Sequence, residues 1–539
     1  MKKKSKVVSN LLLVAGVLAS SASTVMAAEV KPQTTAVAAE KQELRLNMPG
    51  GAPTADPART EEERATALVR ATFDGLTRLG PDGKVQLSMA NRIDVSDDLL
   101  TYTFHLRDAK WSNGDPVTAG DFEYAWKRVL NPETESSYAY MLYPVKNAEQ
   151  ANQGKQSLDT VGVKAIDAKT LTVTLEQPTP YFTELTTFAS YYPVNKKVVE
   201  TNPAWAEEAA THVGNGPYKL ESWEAREKLI LVKNQNYWDK AAVKLDKLEF
   251  SMESEENEEL ALFEEGKLDW AGAPLNVLPT DAMPALKKLG VVQTKPIAGV
   301  YWYKFNTEQK PFTNAKIRKA FAYAIHRQEV VDTLTNAMQM PAMGAVPLAA
   351  TAKKEGYFKD NDKETAKKLL AEGMKELGLS TLPPISLSYN TSEGHQLIAQ
   401  TIQKQWRDTL GVDVKLENKE WKVFLEDMHN GNYQIGRMGW LGDYSDPINF
   451  LELFKDKDGG LNDTKWENSK YQALLNQSAT QKDPDKRRQL LAEAEAILMD
   501  EMPVAPIYFY TNQWVQNEKV KGIVLDGLGS IDYKWAYKE

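Results

Sequence analysis

The sequence predicts an α/β protein built from more than one domain. A chain of 539 residues is longer than one hydrophobic core supports, and roughly 150 residues per domain suggests three or four units. The composition is that of a globular protein, with 42% hydrophobic and 26% charged residues. The last third of the chain alternates between strand and helix patterns, which is typical of α/β domains.

The elements can be followed in order. The first is a strand over residues 43–49, ELRLNMP, where the leucines alternate. In the last third, strand and helix patterns take turns, which predicts a largely parallel sheet. The positions that define them are Ala366, Leu369, Leu370, Gly373, Met374 and Leu377 (helix), Ile385, Leu387 and Tyr389 (strand), Leu397, Ile398, Ile402 and Trp406 before Gly411 (helix), Val412, Val414 and Leu416 (strand), 420–429 (helix), and a strand from Tyr433.

The N-terminus has the pattern of a secretory signal peptide. Four lysines precede the apolar run 11–19, and the small-x-small triplet 25–27 follows. The apolar run is too short to span a bilayer. We therefore expect residues 1–27 to be removed on export, and residues 28–42, small and polar, to form a flexible tether. A buried N-terminal helix is the alternative.

Charge and cysteine content exclude several classes of partner and chemistry. Removal of the four lysines in residues 1–27, which contain no acid, takes the formal charge from −9 to −13. So acidic a chain is a poor candidate for binding nucleic acid or an anionic membrane surface. The sequence contains no cysteine, which excludes disulfides, thiolate nucleophiles and a lipid anchor on cysteine.

The sequence offers no motif for catalysis or for a cofactor. The histidines show no HExxH or comparable ligand spacing, so no metal site is expected. Nucleophile-elbow, phosphate-loop and dinucleotide motifs are also missing. Acid pairs are common, but a bare pair is indistinguishable from loop capping. The pattern favours a binding protein without cofactor over an enzyme. The histidines are His105, His212, His326, His395 and His429.

The stretch 435–447, IGRMGWLGDYSDP, is the candidate site. It follows the last predicted strand and concentrates an arginine, a tryptophan and two acids. In α/β sheets, ligands bind in the crevice outside the carboxyl ends of the strands. A pocket for a charged ligand is therefore expected here.

Residues 100–132, LTYTFHLRDAKWSNGDPVTAGDFEYAWKRVLNP, resemble the signature block of the family 5 extracellular solute-binding proteins. These include the oligopeptide- and dipeptide-binding components of ABC importers. The resemblance continues through 214–223 (GNGPYKLESW), 233–239 (KNQNYWD) and 314–325 (NAKIRKAFAYAI), and reaches EWKVF at 420–424. The order and spacing of these blocks are most similar to the oligopeptide-binding members.

The resemblance implies a type II periplasmic-binding-protein fold, with two lobes closing on a ligand cleft and an extra domain. Three domains are then expected. Domain I is discontinuous, domain II is 74–193, and domain III, 299–510, contains the α/β unit derived above. The ligand would be enclosed between domains I and III by hinge closure. The segments of domain I are 43–73, 194–298 and 511–539.

The resemblance also assigns ligand-binding residues. In oligopeptide-binding members the peptide lies extended, and an aspartate of a GWxxDY motif receives its α-ammonium; that position is Asp443. A buried ammonium needs a carboxylate partner. The alternative is that Asp443 caps a turn, the role expected of Asp446 beside Pro447. Main-chain ladders to the peptide are assigned to Gly439, Trp440 and Leu441 on one side and to Glu61, Glu62 and Glu63 on the other.

The peptide carboxylate needs a cation, and the resemblance assigns Arg437 and His395. The alternatives are a structural ion pair for Arg437 and a surface position at a helix start for His395. Trp421 is expected to line a side-chain pocket or to pack in the core. Two departures concern this end of the ligand, since Thr335 and Met428 stand where some relatives carry a lysine and an arginine.

The resulting hypothesis is an exported, non-lipidated protein that binds oligopeptides in extended form and delivers them to an ABC permease, without catalysis. A monomer in the periplasm or at the cell surface is expected. Two alternatives stay open. One is another ligand of the family, such as a murein peptide, nickel chelate, haem or oligosaccharide. The other is a peptide-signal receptor or chaperone.

Overall fold

A computed structural model describes residues 42–224, 227–332, 339–351, 353–444, 446–458 and 461–539. The predicted signal peptide and residues 28–41 of the tether lie outside the described residues. Order begins with a strand at Glu43, where the sequence predicts one.

The described strands are β1 Glu43–Asn47, β2 Thr77–Leu79, β3 Val85–Leu87, β4 Ala90–Val95, β5 Thr101–Leu106, β6 Val163–Asp167, β7 Thr170–Thr174, β8 Tyr218–Glu224, β9 Lys228–Lys233, β10 Lys247–Ser251, β11 Trp270–Gly272, β12 Gln293–Phe305, β13 Met340–Pro341, β14 Ile385–Asn390, β15 Val414–Lys419, β16 Ile435–Leu441, β17 Val504–Gln516, β18 Val520–Lys521, β19 Val524–Leu525, β20 Ile531–Asp532 and β21 Tyr537–Lys538.

The described α-helices are α1 Glu63–Thr72, α2 Ala119–Leu130, α3 Ala148–Asn152, α4 Phe182–Leu185, α5 Lys196–Thr201, α6 Glu256–Glu264, α7 Met283–Leu289, α8 Ala315–Tyr323, α9 Arg327–Val330, α10 Lys363–Glu376, α11 Glu393–Leu410, α12 Trp421–His429, α13 Ile448–Leu451, α14 Ser469–Thr480 and α15 Pro484–Glu501. Short 3₁₀ helices lie at Pro57–Arg59, Pro132–Thr134, Ala139–Leu142, Leu158–Thr160, Ala189–Tyr191 and Glu452–Phe454.

Three larger sheets organise these elements. One four-stranded sheet has the order β1-β10-β9-β8, and another has the order β4-β5-β7-β6. A seven-stranded sheet has the order β11-β17-β12-β16-β14-β15, with β13 paired to β17. The mixture of helices and sheets confirms the α/β class. The prediction of domain boundaries stays a prediction.

The seven-stranded sheet is only partly parallel. The strands β15, β14 and β16 run parallel, joined by the helices α11 and α12 as the sequence predicts. The pairs β12–β16 and β12–β17 are antiparallel. The expectation of a largely parallel sheet is therefore wrong outside the β14–β16 unit. The two long strands β12 and β17 pair directly with each other, and antiparallel neighbours need no crossover helix.

Both faces of this sheet are covered by hydrophobic clusters. Along β12, Tyr301 and Tyr303 pack into one cluster, while Val300 and Trp302 pack into another on the opposite face. This alternation is the two-residue period of a strand. Because β16 pairs with β12, the side chains of β16 also alternate between the same two faces of the sheet.

The predicted elements of the last third are present with small shifts. The strand β14 and helix α10 match their patterns, and α11 ends before Gly411, whose φ of 69° favours glycine. The final strand begins at Ile435 rather than Tyr433. Leu397 is 50% exposed although its neighbours on α11 are buried, so it does not belong to the core face of that helix.

The strands β12 and β17 carry an irregularity near the middle of their shared ladder. Pro296 lies opposite Thr511, but Val300 lies opposite Phe509, so the register shifts between these two pairs. A bulge of this kind bends a strand and increases its local twist. The residues Ile297 and Ala298 at the shift line the cavity described next.

Candidate ligand-binding site

A cavity of about 390 Å³ lies beyond the carboxyl end of β16. It brings together two segments that are far apart in the chain and that the family resemblance assigns to one site. Its walls include Glu61, Glu62 and Glu63 from the start of α1, and Leu441, Gly442 and Asp443 from the end of β16. Ile297, Ala298, Asn512 and Ser530 also line it.

Asp443 lies in this wall without a cationic partner. The Tyr140 hydroxyl donates a hydrogen bond to its carboxylate. Its own main-chain N–H donates to Asn449 Oδ1 at 3.3 Å. Burial raises the pKa of Asp443, and the hydrogen bonds from Tyr140 and Asn449 offset part of that shift. Within the described chain no Lys, Arg or His forms an ion pair with it. Its negative charge is thus available to a ligand.

Asp446, three residues further on, has a different environment. It is 6% exposed. It forms an ion pair with Arg487, in which Nη2 donates to Oδ1 at 2.8 Å. Its Oδ1 also accepts from the N–H of Ile448 at 2.9 Å, at the start of α13. Asp446 therefore has the turn role that the sequence predicts, and its buried ion pair with Arg487 also joins two parts of the fold.

The main chain of β16 alternates between two edges. Gly442 donates its N–H to the carbonyl of Ala298 at 2.7 Å. In an antiparallel pair, every second opposing pair exchanges hydrogen bonds. Trp440 lies opposite Val300, two residues from that bond, and therefore directs its main-chain groups to β12.

Gly439 and Leu441 occupy the alternate positions, so their N–H and C=O groups point to the other edge of β16. On that edge β14 pairs with β16 as far as Gly436. None of the described strands continues the ladder beyond it. A segment of sheet edge therefore faces the site with unsatisfied donors and acceptors, which is the template that an added strand requires.

Arg437 and His395 lie near each other, but neither lines this cavity. The Arg437 guanidinium lies over the Tyr301 ring, 4.6 Å from its centroid. The Tyr301 hydroxyl and His395 Nδ1 are 3.4 Å apart. Nη1 of Arg437 donates to Asn390 Oδ1 at 3.3 Å, and its Nε is buried without a hydrogen-bond partner. Among the described residues Arg437 has no ion pair, so the alternative of a structural ion pair finds no support there.

His395 is held as a neutral ring. It is the third residue of α11, and its N–H donates to Ser392 Oγ at 3.4 Å. Burial, followed by the positive charge of Arg437, lowers the pKa of His395 to about 4. At neutral pH the positive charge of this pair therefore comes from Arg437.

The three glutamates before and within α1 differ from one another. Glu62 Oε2 pairs with Arg64 Nη2 at 2.6 Å. Glu63 accepts a hydrogen bond from Ser530 Oγ at 3.1 Å. Burial, followed by the nearby charge of Asp526, raises the pKa of Glu63 to about 7. Glu61 accepts from the hydroxyl of Ser137. This wall is therefore acidic and polar.

The family model described as "Bacterial extracellular solute-binding proteins, family 5 Middle" matches residues 84–462. The chain belongs to this family. The family suggested by the signature block at 100–132 is thus confirmed. It is a family of solute-binding transport proteins rather than of enzymes.

Individual relatives of this family 5 protein cover nearly the whole chain. The oligopeptide-binding protein OppA of Bacillus subtilis is 53% identical over 505 residues, covering 92% of this chain and 93% of its own. The unliganded open form of the murein tripeptide-binding protein MppA superposes with a TM-score of 0.86 at 33% identity, covering 93% of this chain and 98% of its own. Listeria monocytogenes OppA bound to peptide gives 0.65 at 31% identity, with coverage of 93% and 99%.

The open form of MppA and the peptide-bound Listeria OppA have similar sequence identity to this family 5 chain, 33% and 31%, but different TM-scores, 0.86 and 0.65. The backbone described here is therefore more similar to the unliganded open form than to the peptide-bound structure. Domain rearrangement is a common source of such differences. In residues 42–539, apart from the gaps given above, no helix combines the length and apolar character needed to cross a membrane.

The remaining assigned residues are also located. Trp421 is 45% exposed, at the first position of α12, so it is not a core tryptophan. The Trp440 ring donates to Asn449 Oδ1 at 2.9 Å. Met428 is buried beneath β16, whereas Thr335 lies outside the described residues.

Sequence reasoning missed Tyr140 and Asn449, which contact the residue that carries the site. Asn449 follows Asp443 by six positions and could have been suspected from its place at the start of a helix. Tyr140 is about three hundred residues away in the chain and belongs to a short 3₁₀ helix. No local pattern points to it.

Proposed function

We propose that the protein captures oligopeptides in extended form and delivers them to an ABC permease. The observation that carries this proposal is the arrangement along β16. Asp443 has no cationic partner, Gly439 and Leu441 form an open strand edge, and Arg437 has no carboxylate partner. These three features follow one another along the chain. A zwitterionic peptide supplies the complement of each.

The peptide main chain would add a strand to the edge of β16. Gly439 and Leu441 supply the donors and acceptors that face this edge, while Trp440 keeps its ladder to β12 and contributes its ring. Glu61, Glu62 and Glu63 face the same cleft from the other wall. Backbone pairing gives affinity for many sequences.

The two ends of the peptide would be recognised by opposite charges. Asp443 accepts the α-ammonium, and Arg437 with the neutral His395 binds the carboxylate. Asp443 follows Arg437 by six positions, so their α-carbons are at most roughly 20 Å apart. An extended peptide of about four residues fits within this span.

Export, partners and motion follow from the same proposal. We infer that residues 1–27 direct export and are removed, that the mature protein carries no lipid, and that it acts as a monomer without catalysis. The three predicted domains would supply two lobes. Closure about the irregular region of β12 and β17 would bring Glu61–Glu63 onto a peptide held by β16.

Calorimetry on the mature protein, unfolded and refolded to remove carried ligand, tests this function. Tetra-alanine and its N-acetylated form are titrated in parallel. Tight binding of the free peptide and loss of binding on acetylation are expected, because acetylation removes the charge that Asp443 would meet. Equal binding of both forms would remove Asp443 from this role. Binding of neither would contradict peptide capture.

A further inference from the structure

A second cavity, of about 540 Å³, shares Asp443 with the cleft. Asp443 is the one residue in the described chain that lines both. A ligand whose first residue is anchored at Asp443 therefore stands at the entrance to this second cavity. Its walls include Tyr140, Tyr181, Trp440, Tyr444, Glu452 and Asp456.

Carboxylates line this entrance, and Arg487 lies behind one of its walls, 5.3 Å from the centroid of the Tyr181 ring. Neither cavity is lined by a described Lys, Arg or His. No described cation forms an ion pair with Asp443 or Glu452. Desolvation raises the pKa of both, and the charge of Lys455 opposes the rise at Glu452.

Glu452 and Asp456 are exposed at this cavity, whereas Asp443 is half-buried and is met by hydrogen bonds from Tyr140 and Asn449. Each of these carboxylates can therefore still gain a cationic partner. Outside the gaps in the structure, no group of His, Asp or Glu converges as a metal ion would require, so an organic cation is the better complement.

The wall of the first cleft, outside the second cavity, also carries a buried acceptor. Glu63 Oε2 is buried and has no hydrogen-bond partner, although it lines the cleft. A buried acceptor without a partner is rare in folded proteins.

The aromatic walls suit a cation carried on an apolar stem. The Tyr181 and Tyr444 rings stack at 5.1 Å between centroids, and Tyr140 is 41% exposed. The methylenes of a lysine or arginine side chain can pack against the exposed Tyr140 ring while the charged head meets the acids. Glu452 and Asp456 stand in the same cavity. A bare acidic surface would lack this apolar lining.

We propose that this second cavity takes the side chain of the ligand's first residue and selects lysine or arginine there. The proposal rests on the proposed function, because it places the first residue by its ammonium at Asp443. The side chain of that residue leaves the backbone at the carbon that bears the ammonium, so it is the one nearest the cavity entrance.

The test compares four peptides by calorimetry on the stripped mature protein. They are Lys-Ala-Ala-Ala, norleucine-Ala-Ala-Ala, Ala-Ala-Ala-Ala and Ala-Ala-Ala-Lys. Norleucine matches the lysine stem without its charge, and the last peptide keeps the charge but moves it to the far end. We expect the peptide with lysine first to bind about tenfold more tightly than its norleucine counterpart. No such gain is expected for lysine at the last position.

Variants locate the effect. Glu452→Gln combined with Asp456→Asn should reduce the lysine preference to less than about twofold while leaving the norleucine peptide unchanged. Asp458→Asn, an exposed acid of the same loop outside both cavities, should keep the preference. Thermal unfolding confirms that each variant is folded.

The outcomes separate the two proposals. Equal binding of the lysine and norleucine peptides, or the same gain with lysine last, would overturn the cavity proposal and leave peptide binding intact. A preference that survives in the double variant would overturn it as well. Failure of all four peptides to bind would overturn both proposals.

Discussion

Replacement of Asp443 by asparagine removes a charge and little else. The side chain keeps its size, and the hydrogen-bonding groups of Tyr140 and Asn449 remain beside it. No ion pair with another described residue is lost. The substitution therefore separates the charge of Asp443 from its place in the fold.

The magnitude follows from the environment of the carboxylate. Burial raises the pKa of Asp443, so its charge is partly desolvated before ligand arrives. An enclosed ammonium that loses its carboxylate costs about 3–5 kcal/mol, which is at least a hundredfold in affinity. In the absence of ligand we expect no loss of stability, since no partner is left unpaired.

The assay pairs calorimetry with thermal unfolding. For Asp443→Asn we expect tetra-alanine to bind at least a hundredfold more weakly and the midpoint of unfolding of the ligand-free protein to stay the same or rise. Asp458→Asn serves as the matched control and should behave as wild type. If Asp443→Asn bound the peptide within about threefold of wild type, the assignment of the ammonium site would be refuted. A large loss of stability would instead favour the turn-capping role.

Three further predictions concern other charged groups. Arg437→Ala should weaken binding of a free-acid peptide but not of its C-terminal amide, and calorimetry in which both peptides lose equally would contradict carboxylate recognition. Asp446→Asn should lower the free energy of unfolding by about 3–5 kcal/mol because Arg487 is left buried and unpaired; denaturant unfolding within about 1 kcal/mol of wild type would contradict this. The pKa of the buried Glu495 carboxyl is raised to about 7 from 4.5, chiefly by burial, so the folded protein takes up a proton before the unfolded chain does. Stability should accordingly rise as pH falls from 8 to 5, by up to about 3 kcal/mol from this group, and denaturant unfolding of Glu495→Gln should show a correspondingly smaller pH dependence; an unchanged dependence would exclude Glu495 as its source.

The sequence alone determined the local features of this protein. The two-residue period of a strand predicts β14 and β16, and the helical period predicts α11, whose end is marked by Gly411. The family follows from contiguous signature blocks such as 100–132, confirmed by a match over residues 84–462. These features are legible because each depends on residues close together in the chain.

Strand direction and side-chain partners were decided by the tertiary structure. The antiparallel pairing of β12 with β16 depends on a strand more than a hundred residues earlier, and no local period encodes it. The same holds for the charges. Asp443 and Asp446 read alike in sequence, but Arg487 of α15 neutralises one, while Tyr140 contacts the other and leaves it charged. Whether an acid is structural or available to a ligand depends on which distant group the fold places beside it.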